Sequence, residues 1–379
     1  MESLYNRSIQ IIKLGQSESG AYIACPNFPT YHFCWLRDGS FIAHAMDTVG
    51  EYESAKAFFK WAGRTIQKYG YKVDFIRQNL QAGLPIGKND VLHTRFTLDG
   101  KETTVDSEWG NFQIDGYGTW LWALSEHVRL SGDSSILLEL SEPIQITLNY
   151  LELVWQLPNF DCWEEHPEYL HTYSLAAVFA GINSINSVIY ANQLPSSANV
   201  EDDLTKNIKG FILKYCVYDG QMVKHILPER AGKSPRPIFT SGVDSSLIGV
   251  TVPFNLFSSE HPIMRATIQA IEMDLFRPGG GVYRYKNDVY YGGGEWLLLT
   301  AWIGWYYAEI GNVDKAKKIL SWMESQANED GHLPEQVNDH NLSPTNYKPW
   351  VIKWGLVANP LLWSHAMYLI LYNAINSKY

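Results

Sequence analysis

The chain has 379 residues and a formal net charge of −10, which is enough length for two ordinary domains or for one large toroid or barrel. No Lys/Arg cluster offers a track for phosphates, so the sequence argues against nucleic acid as a partner. Aromatic side chains make up 14% of the chain, and that content suits a protein that packs sugar rings on indole and phenol faces.

The start of the chain, residues 1–15, carries Glu2 and lacks the basic region, apolar region and cleavage site of a signal peptide. The longest apolar run, at 296–308, is too short to cross a bilayer. We therefore expect a cytoplasmic protein that has no membrane partner. Cysteines at irregular spacing match neither a disulfide framework nor a zinc pattern, so reduced thiols are expected.

Helical periodicity dominates, and two helices joined at a glycine recur as a unit, for example at 43–62 and 304–323. An all-α (α/α)6 toroid requires twelve such helices, six inside and six outside. A stacked-hairpin solenoid competes with it, but the hairpins share no fixed sequence period. The twelve predicted helices lie at 2–14, 38–49, 51–69, 115–131, 133–156, 170–193, 200–215, 243–250, 260–273, 295–310, 312–328 and 360–376.

Long loops rich in Gly, Pro and aromatic residues separate these helices, and most of them precede an inner helix. Such loops are more often functional than not, so one loop-rich face of the ring is expected to carry the site. No low-complexity linker divides the chain, so we predict a single domain over residues 1–379. The loops lie at 15–37, 74–115, 159–170, 216–242, 277–295 and 330–360.

Two of the loops end at predicted helix starts. Asp38 is predicted to cap a helix, and together with Arg37 it also offers donors and acceptors to neighbouring hydroxyls of one sugar. Trp109 lies in a segment that ends in another predicted cap at Asp115. Its indole is either a stacking platform or part of the core.

Glycine runs at 279–281 and 292–294 flank Arg284 and Tyr290. They match neither G-x-G-x-x-G nor the P-loop, so an aromatic turn that presents these two side chains to a ligand is the simpler interpretation. Residues 242–246 fail the G-x-S-x-G pattern, and the histidines show no metal-ligand spacing. No metal and no cofactor are therefore predicted.

Carboxylate chemistry remains. Glycoside hydrolysis needs one protonated carboxyl to protonate the leaving oxygen and one ionised carboxylate to activate water or to attack. Glu164, beside Trp163, suits the first role, and Glu335, in a loop after a proline, suits the second. Glu165 must diverge from its neighbour Glu164, so it would instead accept a hydrogen bond from the substrate.

Six motifs occur in one order over nearly the whole chain: Trp35-Leu36-Arg37-Asp38, Trp109-Gly110, Asp161-Cys162-Trp163-Glu164-Glu165, Arg284 with Tyr290-Tyr291-Gly292-Gly293, Leu333-Pro334-Glu335-Gln336 and Leu362-Trp363-Ser364-His365-Ala366. This ordered set resembles the glucoamylase family, glycoside hydrolase family 15. The resemblance implies an (α/α)6 barrel, exo-action from a non-reducing glucose end and inversion at the anomeric carbon. It also implies that Glu164 is the general acid and Glu335 the general base.

The same resemblance implies substrate-binding roles for ten further residues. Arg37 and Asp38 would grip the terminal glucose, and Arg284 would bridge the first two sugar sites. Glu165 would contact the second sugar. Trp35 belongs to the same set of substrate-binding residues, and Tyr290 would also help to place the attacking water molecule. The walls of the pocket would be Tyr31, Trp109, Trp163, Tyr290 and Trp363.

The chain departs from the family pattern in two respects. It is too short to carry the N-terminal β-sandwich or starch-binding module of other members. The segment from Glu335 to Trp363 is longer than the pattern, and we hypothesise that it covers the far side of the pocket and shortens it. The architecture resembles the single-domain isomaltose glucohydrolases of the family, so an α-1,6-linked glucose disaccharide or oligosaccharide is the expected substrate. The aromatic and basic residues of this segment are Tyr347, Lys348, Trp350 and Trp354.

Several other functions stay open. The same fold could hydrolyse α,α-trehalose or maltooligosaccharides, or could cleave a disaccharide with phosphate, although Glu335 argues against a phosphate site in place of the base. A non-catalytic sugar-binding protein would use the same aromatic walls. A purely structural helical scaffold would leave the glycine-aromatic loops unexplained. The sequence predicts no particular oligomeric state.

Overall fold

A computed structural model describes residues 3–103, 109–194, 202–230 and 232–376. Over these ranges the chain forms fourteen α-helices, whereas the first positions of the predicted helices at 2–14 and 200–215 lie outside the described residues. The helices are α1 Leu4–Leu14, α2 Leu36–Thr48, α3 Tyr52–Tyr69, α4 Tyr71–Gln81, α5 Asp115–Ser131, α6 Ser135–Glu139, α7 Ser141–Val154, α8 Thr172–Ala191, α9 Asp202–Tyr215, α10 Pro262–Leu275, α11 Leu297–Glu309, α12 Val313–Ser325, α13 Tyr347–Trp354 and α14 Leu362–Asn376.

Short strands pair at the ends of the helices. β1 pairs with β2, β4 with β5 and β8 with β9, while β6 lies between β3 and β7, and all these pairings are antiparallel. β1, β3 and β8 run directly into α2, α8 and α11, so the pairings fix the chain just before these three helices. The strands are β1 Cys34–Trp35, β2 Arg95–Phe96, β3 Leu170–His171, β4 Val217–Tyr218, β5 Gln221–Met222, β6 His225–Leu227, β7 Arg236–Ile238, β8 Glu295–Trp296 and β9 Gln336–Val337. The 3₁₀ helices are Pro29–Tyr31, Phe239–Ser241, Ser245–Val250, Tyr290–Gly292 and Pro344–Asn346.

Six inner elements form a closed ring. In order around it, α2 packs on α5, α5 on α8, α8 on the 3₁₀ helix Ser245–Val250, that helix on α11, α11 on α14, and α14 on α2. The outer elements α1, α3, α7, α9, α10 and α12 each pack against an inner neighbour. This arrangement confirms the predicted (α/α)6 barrel.

Burial distinguishes the two layers. In α11 every residue from Leu297 to Gly304 is buried, and this stretch contains no charged side chain. In the outer helix α3 the buried residues include Ala55, Phe59 and Ala62, which recur at the spacing of one helix face. Apolar residues on all sides therefore place a helix in the inner ring, and a single apolar stripe places it outside.

Two inner helices meet backbone to backbone. A Cβ added to Gly118 of α5 would lie 2.4 Å from the carbonyl oxygen of Ala177, and one added to Gly181 of α8 would lie 2.3 Å from the carbonyl oxygen of Gly118. Real Cβ atoms do not approach backbone oxygens so closely. Glycine at these two positions is therefore what allows α5 and α8 to touch.

The predicted helix bounds need four corrections. The predicted helix 133–156 is divided into α6 and α7, and the predicted helix 243–250 is a 3₁₀ helix that begins after Asp244. Within the predicted loop 74–115, α4 continues to Gln81, because Gly70 adopts a right-handed helical conformation (φ −56°) instead of ending the helical path. Within the predicted loop 330–360, residues 347–354 form α13.

The two predicted caps are also wrong. The N-cap of α2 is Trp35, so Asp38 lies in the first turn of the helix. The N-cap of α5 is Ile114, so Asp115 is the first helical residue. In both places the carboxylate lies near Arg37: Oδ2 of Asp38 is 3.7 Å from its Nε, and Oδ2 of Asp115 is 3.0 Å from its Nη1.

One helix among the described residues, α8, is long and apolar enough to cross a membrane by length and composition. The predicted longest apolar run, residues 296–308, lies elsewhere, in β8 and α11. Of the most apolar stretch of α8, 61% is buried inside the ring, and core helices of this kind meet the same criterion. Its apolar character is therefore accounted for by packing against α5.

Candidate active site

A pocket of about 370 Å³ opens among the loops, and all twelve residues predicted from the sequence line it. They come from six separate stretches of the chain, so the fold brings together what the sequence separates. Their individual roles remain predictions. The twelve are Tyr31, Trp35, Arg37, Asp38, Trp109, Trp163, Glu164, Glu165, Arg284, Tyr290, Glu335 and Trp363.

Arg37 forms one side of the pocket floor. Its Nη1 donates to Oε1 of Gln113 at 2.9 Å and to Oδ2 of the buried Asp115 at 3.0 Å. Its Nε lies 3.7 Å from Oδ2 of Asp38, and its Nη2 lies 3.7 Å from Oε1 of Glu164. Burial raises the pKa of Asp38 to about 7, although the charge of Arg37 opposes this shift. Gln113 and Asp115 thus hold the guanidinium in place, and its other nitrogens face the carboxylates of Asp38 and Glu164.

A tight turn presents the predicted acid. Oδ1 of Asp161 accepts hydrogen bonds from the backbone N–H groups of Trp163 and Glu165, each at 2.9 Å. Glu164 lies between them with φ +67°, a left-handed conformation that non-glycine residues rarely adopt. The turn sends the two glutamates apart: Oε1 of Glu164 accepts from Trp35 Nε1 at 2.6 Å, and Oε2 of Glu165 accepts from the Tyr285 hydroxyl at 2.6 Å.

Glu335 is fixed from both sides of its backbone. Its N–H donates to the carbonyl of Ala358 at 2.9 Å, and its carbonyl accepts from Leu297 N–H at 3.3 Å. The Tyr31 hydroxyl donates to Oε1 at 3.0 Å and lies 2.8 Å from the Tyr290 hydroxyl. Burial raises the pKa of Glu335 to about 8, while the hydrogen bond from Tyr31 lowers it. Its Oε2 makes no hydrogen bond within the described part of the chain.

Arg284 occupies the opposite wall. Its Nε donates to Oδ2 of the buried Asp288 at 2.7 Å, and its Nη2 lies 3.7 Å from Oε1 of Glu165. The guanidinium carbon lies 5.3 Å from the Tyr290 ring centroid and 5.0 Å from that of Trp296. The cation is therefore neutralised by a buried carboxylate and enclosed by aromatic faces.

Trp109 and Trp363 contribute the remaining walls. The guanidinium carbon of Arg95 lies 3.8 Å from the Trp109 ring centroid, and Trp109 meets Trp35 edge to face at 5.9 Å. Trp363 is the second residue of α14 and stacks on Phe41 at 5.3 Å between ring centroids. Both tryptophans are pocket walls and also packing residues, so the alternative of stacking platform or core is not exclusive.

Sequence reasoning missed several pocket residues, among them Trp296 and Lys353. Trp296 lies in β8 between Tyr290, at 6.0 Å between ring centroids, and Trp163, at 5.6 Å. Lys353 lies in α13, one turn after Trp350, and the helical spacing of these two residues was a signal that could have placed both on one face.

α13 covers one side of the pocket, as the sequence hypothesis proposed. Trp350, Lys353 and Trp354 line the pocket. Trp350 meets Tyr290 edge to face at 4.9 Å and stacks on Tyr291 at 6.0 Å. The Tyr291 hydroxyl donates to the carbonyl of Gly355 at 2.9 Å, which fixes the end of the helix.

Among the described residues, Asp161, His171 and His225 place potential metal-binding atoms within 4.8 Å of one another. Nε2 of His171 donates to the Asn159 carbonyl at 2.6 Å, which leaves its Nδ1 to accept from His225 Nδ1 at 2.9 Å. The two rings thus satisfy each other as neutral imidazoles, and burial lowers the pKa of His171 to about 3. The two histidines are therefore explained by their bonds to each other and to the Asn159 carbonyl, two residues before the turn 161–165 that carries Glu164, here called the acid turn.

Comparisons with known proteins agree with this geometry. A sequence model of the family described as "Glycosyl hydrolases family 15" matches residues 1–320. The chain is 36% identical over 375 residues to an isomaltose glucohydrolase of Kribbella flavida, covering 98% of this chain and 92% of that protein.

Solved structures give the same result. A wild-type glycosidase superposes with a TM-score of 0.90 at 36% identity, covering 98% of this chain and 96% of that one. A bacterial glucoamylase complexed with acarbose, at 20% identity, shares the fold with a TM-score of 0.73 over 99% of this chain and 56% of its own length. The chain belongs to glycosyl hydrolase family 15.

Proposed function

We propose that this glycoside hydrolase releases β-glucose from the non-reducing end of short α-glucosides, with inversion. One observation carries the proposal: buried polar atoms of the pocket residues make no hydrogen bond within the described part of the chain. Buried polar groups normally find partners, so unsatisfied atoms gathered around one pocket indicate a site that a polar ligand completes. They include Arg37 Nε, Asp38 Oδ2, Trp296 Nε1, Glu335 Oε2 and Trp363 Nε1.

The proposed reaction uses the two glutamates at opposite ends of the same bond. Arg37 and Asp38 hold the hydroxyls of the terminal glucose, and Glu164 gives its proton to the leaving oxygen. Glu335 takes a proton from a water molecule that attacks the anomeric carbon from the opposite face. The ionised Glu164 that remains is stabilised by the Trp35 indole.

The substrate is proposed to be short and α-1,6-linked, of the isomaltose type. Trp350 and Trp354 of α13 narrow the pocket on its far side, which favours a disaccharide over a long chain. The name of the Kribbella flavida relative supports the α-1,6 linkage. Trehalose and maltooligosaccharides are the alternatives. We further propose that the protein acts in the cytoplasm on imported sugar.

A saccharide panel with anomer detection tests the proposal. Specificity constants are measured on isomaltose, maltose, longer maltooligosaccharides and trehalose, and the first-formed anomer is followed by NMR. We expect isomaltose to be preferred and β-glucose to appear first. A preference for long maltooligosaccharides or for trehalose would contradict the substrate, and α-glucose as first product would contradict inversion. Glucose release that required phosphate would indicate a phosphorylase.

Sugar binding without catalysis is a second candidate, because the same walls and grip would serve it. Glu164→Gln and Glu335→Gln separate the two functions. In an enzyme, each substitution lowers the isomaltose rate by about 10²-fold or more. If both variants stay within a few-fold of the unmodified protein, the two-carboxylate mechanism is wrong.

A further inference from the structure

Lys224 is a buried cation that lies outside the pocket lining, in the short connection between β5 and β6. It is only 7% exposed, and its Nζ lies 2.9 Å from Oδ2 of Asp244. The same Nζ lies 3.6 Å from the ring centroid of Tyr285, within the range of a cation–π contact. Lys224 therefore joins an anion and an aromatic ring that belong to two different segments.

Through Asp244, Lys224 is connected to one side of the acid turn. Asp244 is fully buried and accepts hydrogen bonds from the Trp163 indole Nε1 at 3.2 and 3.1 Å. It also accepts from the N–H of Ser246 at 2.8 Å, which anchors it to the inner ring. The tryptophan that precedes Glu164 is thus tied to a carboxylate whose charge is neutralised by Lys224.

Through Tyr285, Lys224 is connected to the other side of the acid turn. The Tyr285 hydroxyl donates to Oε2 of Glu165 at 2.6 Å. Lys224 therefore reaches the residue before Glu164 through Asp244 and the residue after it through Tyr285. Glu164 itself has φ +67°, and a non-glycine residue holds such a conformation only where its surroundings impose it.

We propose that Lys224 is a positioning residue that fixes the turn carrying Glu164 and Glu165 and so sets the leaving-group side of the pocket. The inference rests on the proposed function, in which Glu164 is the proton donor. Loss of Lys224 leaves Asp244 as a buried carboxylate without its cation. The Trp163 anchor and the Tyr285 ring then lose their common support, whereas Arg37 and Asp38 on the glucose side are unaffected.

Two substrates distinguish positioning from simple destabilisation. Isomaltose needs a proton for its leaving sugar and contacts Glu165, whereas α-glucosyl fluoride loses fluoride, which needs little protonation, and has no second sugar. We expect Lys224→Met to lower kcat/KM for isomaltose by about tenfold to a hundredfold and that for α-glucosyl fluoride by less than about threefold. Lys224→Arg keeps the charge and should recover part of the loss.

Lys72→Met is the matched control. Lys72 is 5% exposed, and its Nζ lies 2.6 Å from Oε1 of Glu102, so it is a similarly buried lysine in an ion pair elsewhere in the fold. Lys72→Met should lower the midpoint of thermal unfolding but should not change kcat/KM for one substrate more than for the other. If Lys224→Met lowers kcat/KM equally for both substrates, or lowers it for neither, the positioning role is wrong.

Glu164→Gln makes failure of this inference distinguishable from failure of the proposed function. If Glu164→Gln does not separate isomaltose from α-glucosyl fluoride, the acid assignment is wrong. If it does separate them and Lys224→Met does not, the positioning inference alone is overturned. If Lys224→Met does not fold, the double variant Lys224→Met, Asp244→Asn is used, because it removes both buried charges. We expect it to lower kcat/KM for isomaltose more than that for α-glucosyl fluoride. An equal loss of kcat/KM on both substrates overturns the inference.

Discussion

The indole Nε1 of Trp35 donates a hydrogen bond to Oε1 of Glu164 at 2.6 Å. In the proposed reaction Glu164 becomes a carboxylate as it gives up its proton, so this donor stabilises charge that develops in the transition state. We expect Trp35→Phe to lower kcat for isomaltose by about tenfold to a hundredfold with a smaller change in KM. An increase in KM with unchanged kcat would mean that the indole serves substrate binding instead.

The buried position of Glu335 predicts the acid side of the pH profile. Burial raises the pKa of this carboxyl from 4.5 to about 8, and a base must be ionised to act. Because the raised pKa keeps Glu335 protonated at low pH, kcat/KM should fall as pH decreases from about 8. Initial rates at low isomaltose concentration between pH 4 and 9 measure this. An acid limb at or below pH 4.5 would contradict the raised pKa of Glu335.

The Tyr31 hydroxyl should modulate that pKa. Its hydrogen bond to Oε1 of Glu335 favours the ionised carboxylate, so Tyr31→Phe should raise the pKa further and move the acid limb to higher pH. Its kcat should also fall by about tenfold or more. Tyr283→Phe removes a tyrosine hydroxyl that donates to the His340 carbonyl, outside the pocket, and serves as control. An unmoved acid limb in Tyr31→Phe would contradict this role.

The α13 helix provides a test of chain-length selection. Trp350 lines the pocket and packs on Tyr290 and Tyr291, so Trp350→Ala should open the far side. We expect kcat/KM for isomaltose to fall by about tenfold, and less for longer oligosaccharides. Ile352 is 76% exposed on the same helix, so Ile352→Ala is the control and should leave the ratio of kcat/KM for isomaltose to kcat/KM for longer oligosaccharides unchanged. If this ratio is the same in both variants, α13 does not select chain length.

The contact between α5 and α8 predicts a stability difference between two glycines. Gly118→Ala forces a methyl group against the Ala177 carbonyl and should lower the free energy of unfolding by about 1–3 kcal/mol. Gly210, in α9, has nothing within 4 Å of its added Cβ, so Gly210→Ala should raise stability by about 0.5–1 kcal/mol. Urea unfolding monitored by circular dichroism measures both. Similar effects at the two positions would contradict the backbone contact.

Much of this fold was predictable because its helices are long and strongly periodic. Gly70 shows the limit: the predicted helix 51–69 ends just before this glycine, which adopts a helical conformation, and α4 follows it directly. Asp38 shows another: the pairing of β1 with β2 fixes the chain up to Trp35, so α2 begins at Leu36 and the Asp38 carboxylate lies in its first turn, not at the cap.

The candidate site was predictable to the extent that its residues lie in short motifs. Glu164 and Glu335 stand out by their neighbours in sequence, and both line the pocket. Lys224 and Asp244 carry no such signal, because they meet the acid turn only through the folded ring. Residues that support a site from outside the pocket are therefore the part that a single sequence conceals.

The closure of the ring by α14 also governs when activity can first arise during synthesis. The Leu362 N–H donates to the Ala24 carbonyl, Ser8 Oγ lies 2.9 Å from His365 Nδ1, and the segment just before α14 supplies the backbone partner of Glu335. The base is therefore held by residues that follow it in the chain, although it must also meet Tyr31, which precedes it by 304 positions. We expect every nascent chain to remain catalytically silent until α14 has emerged and docked beside α2.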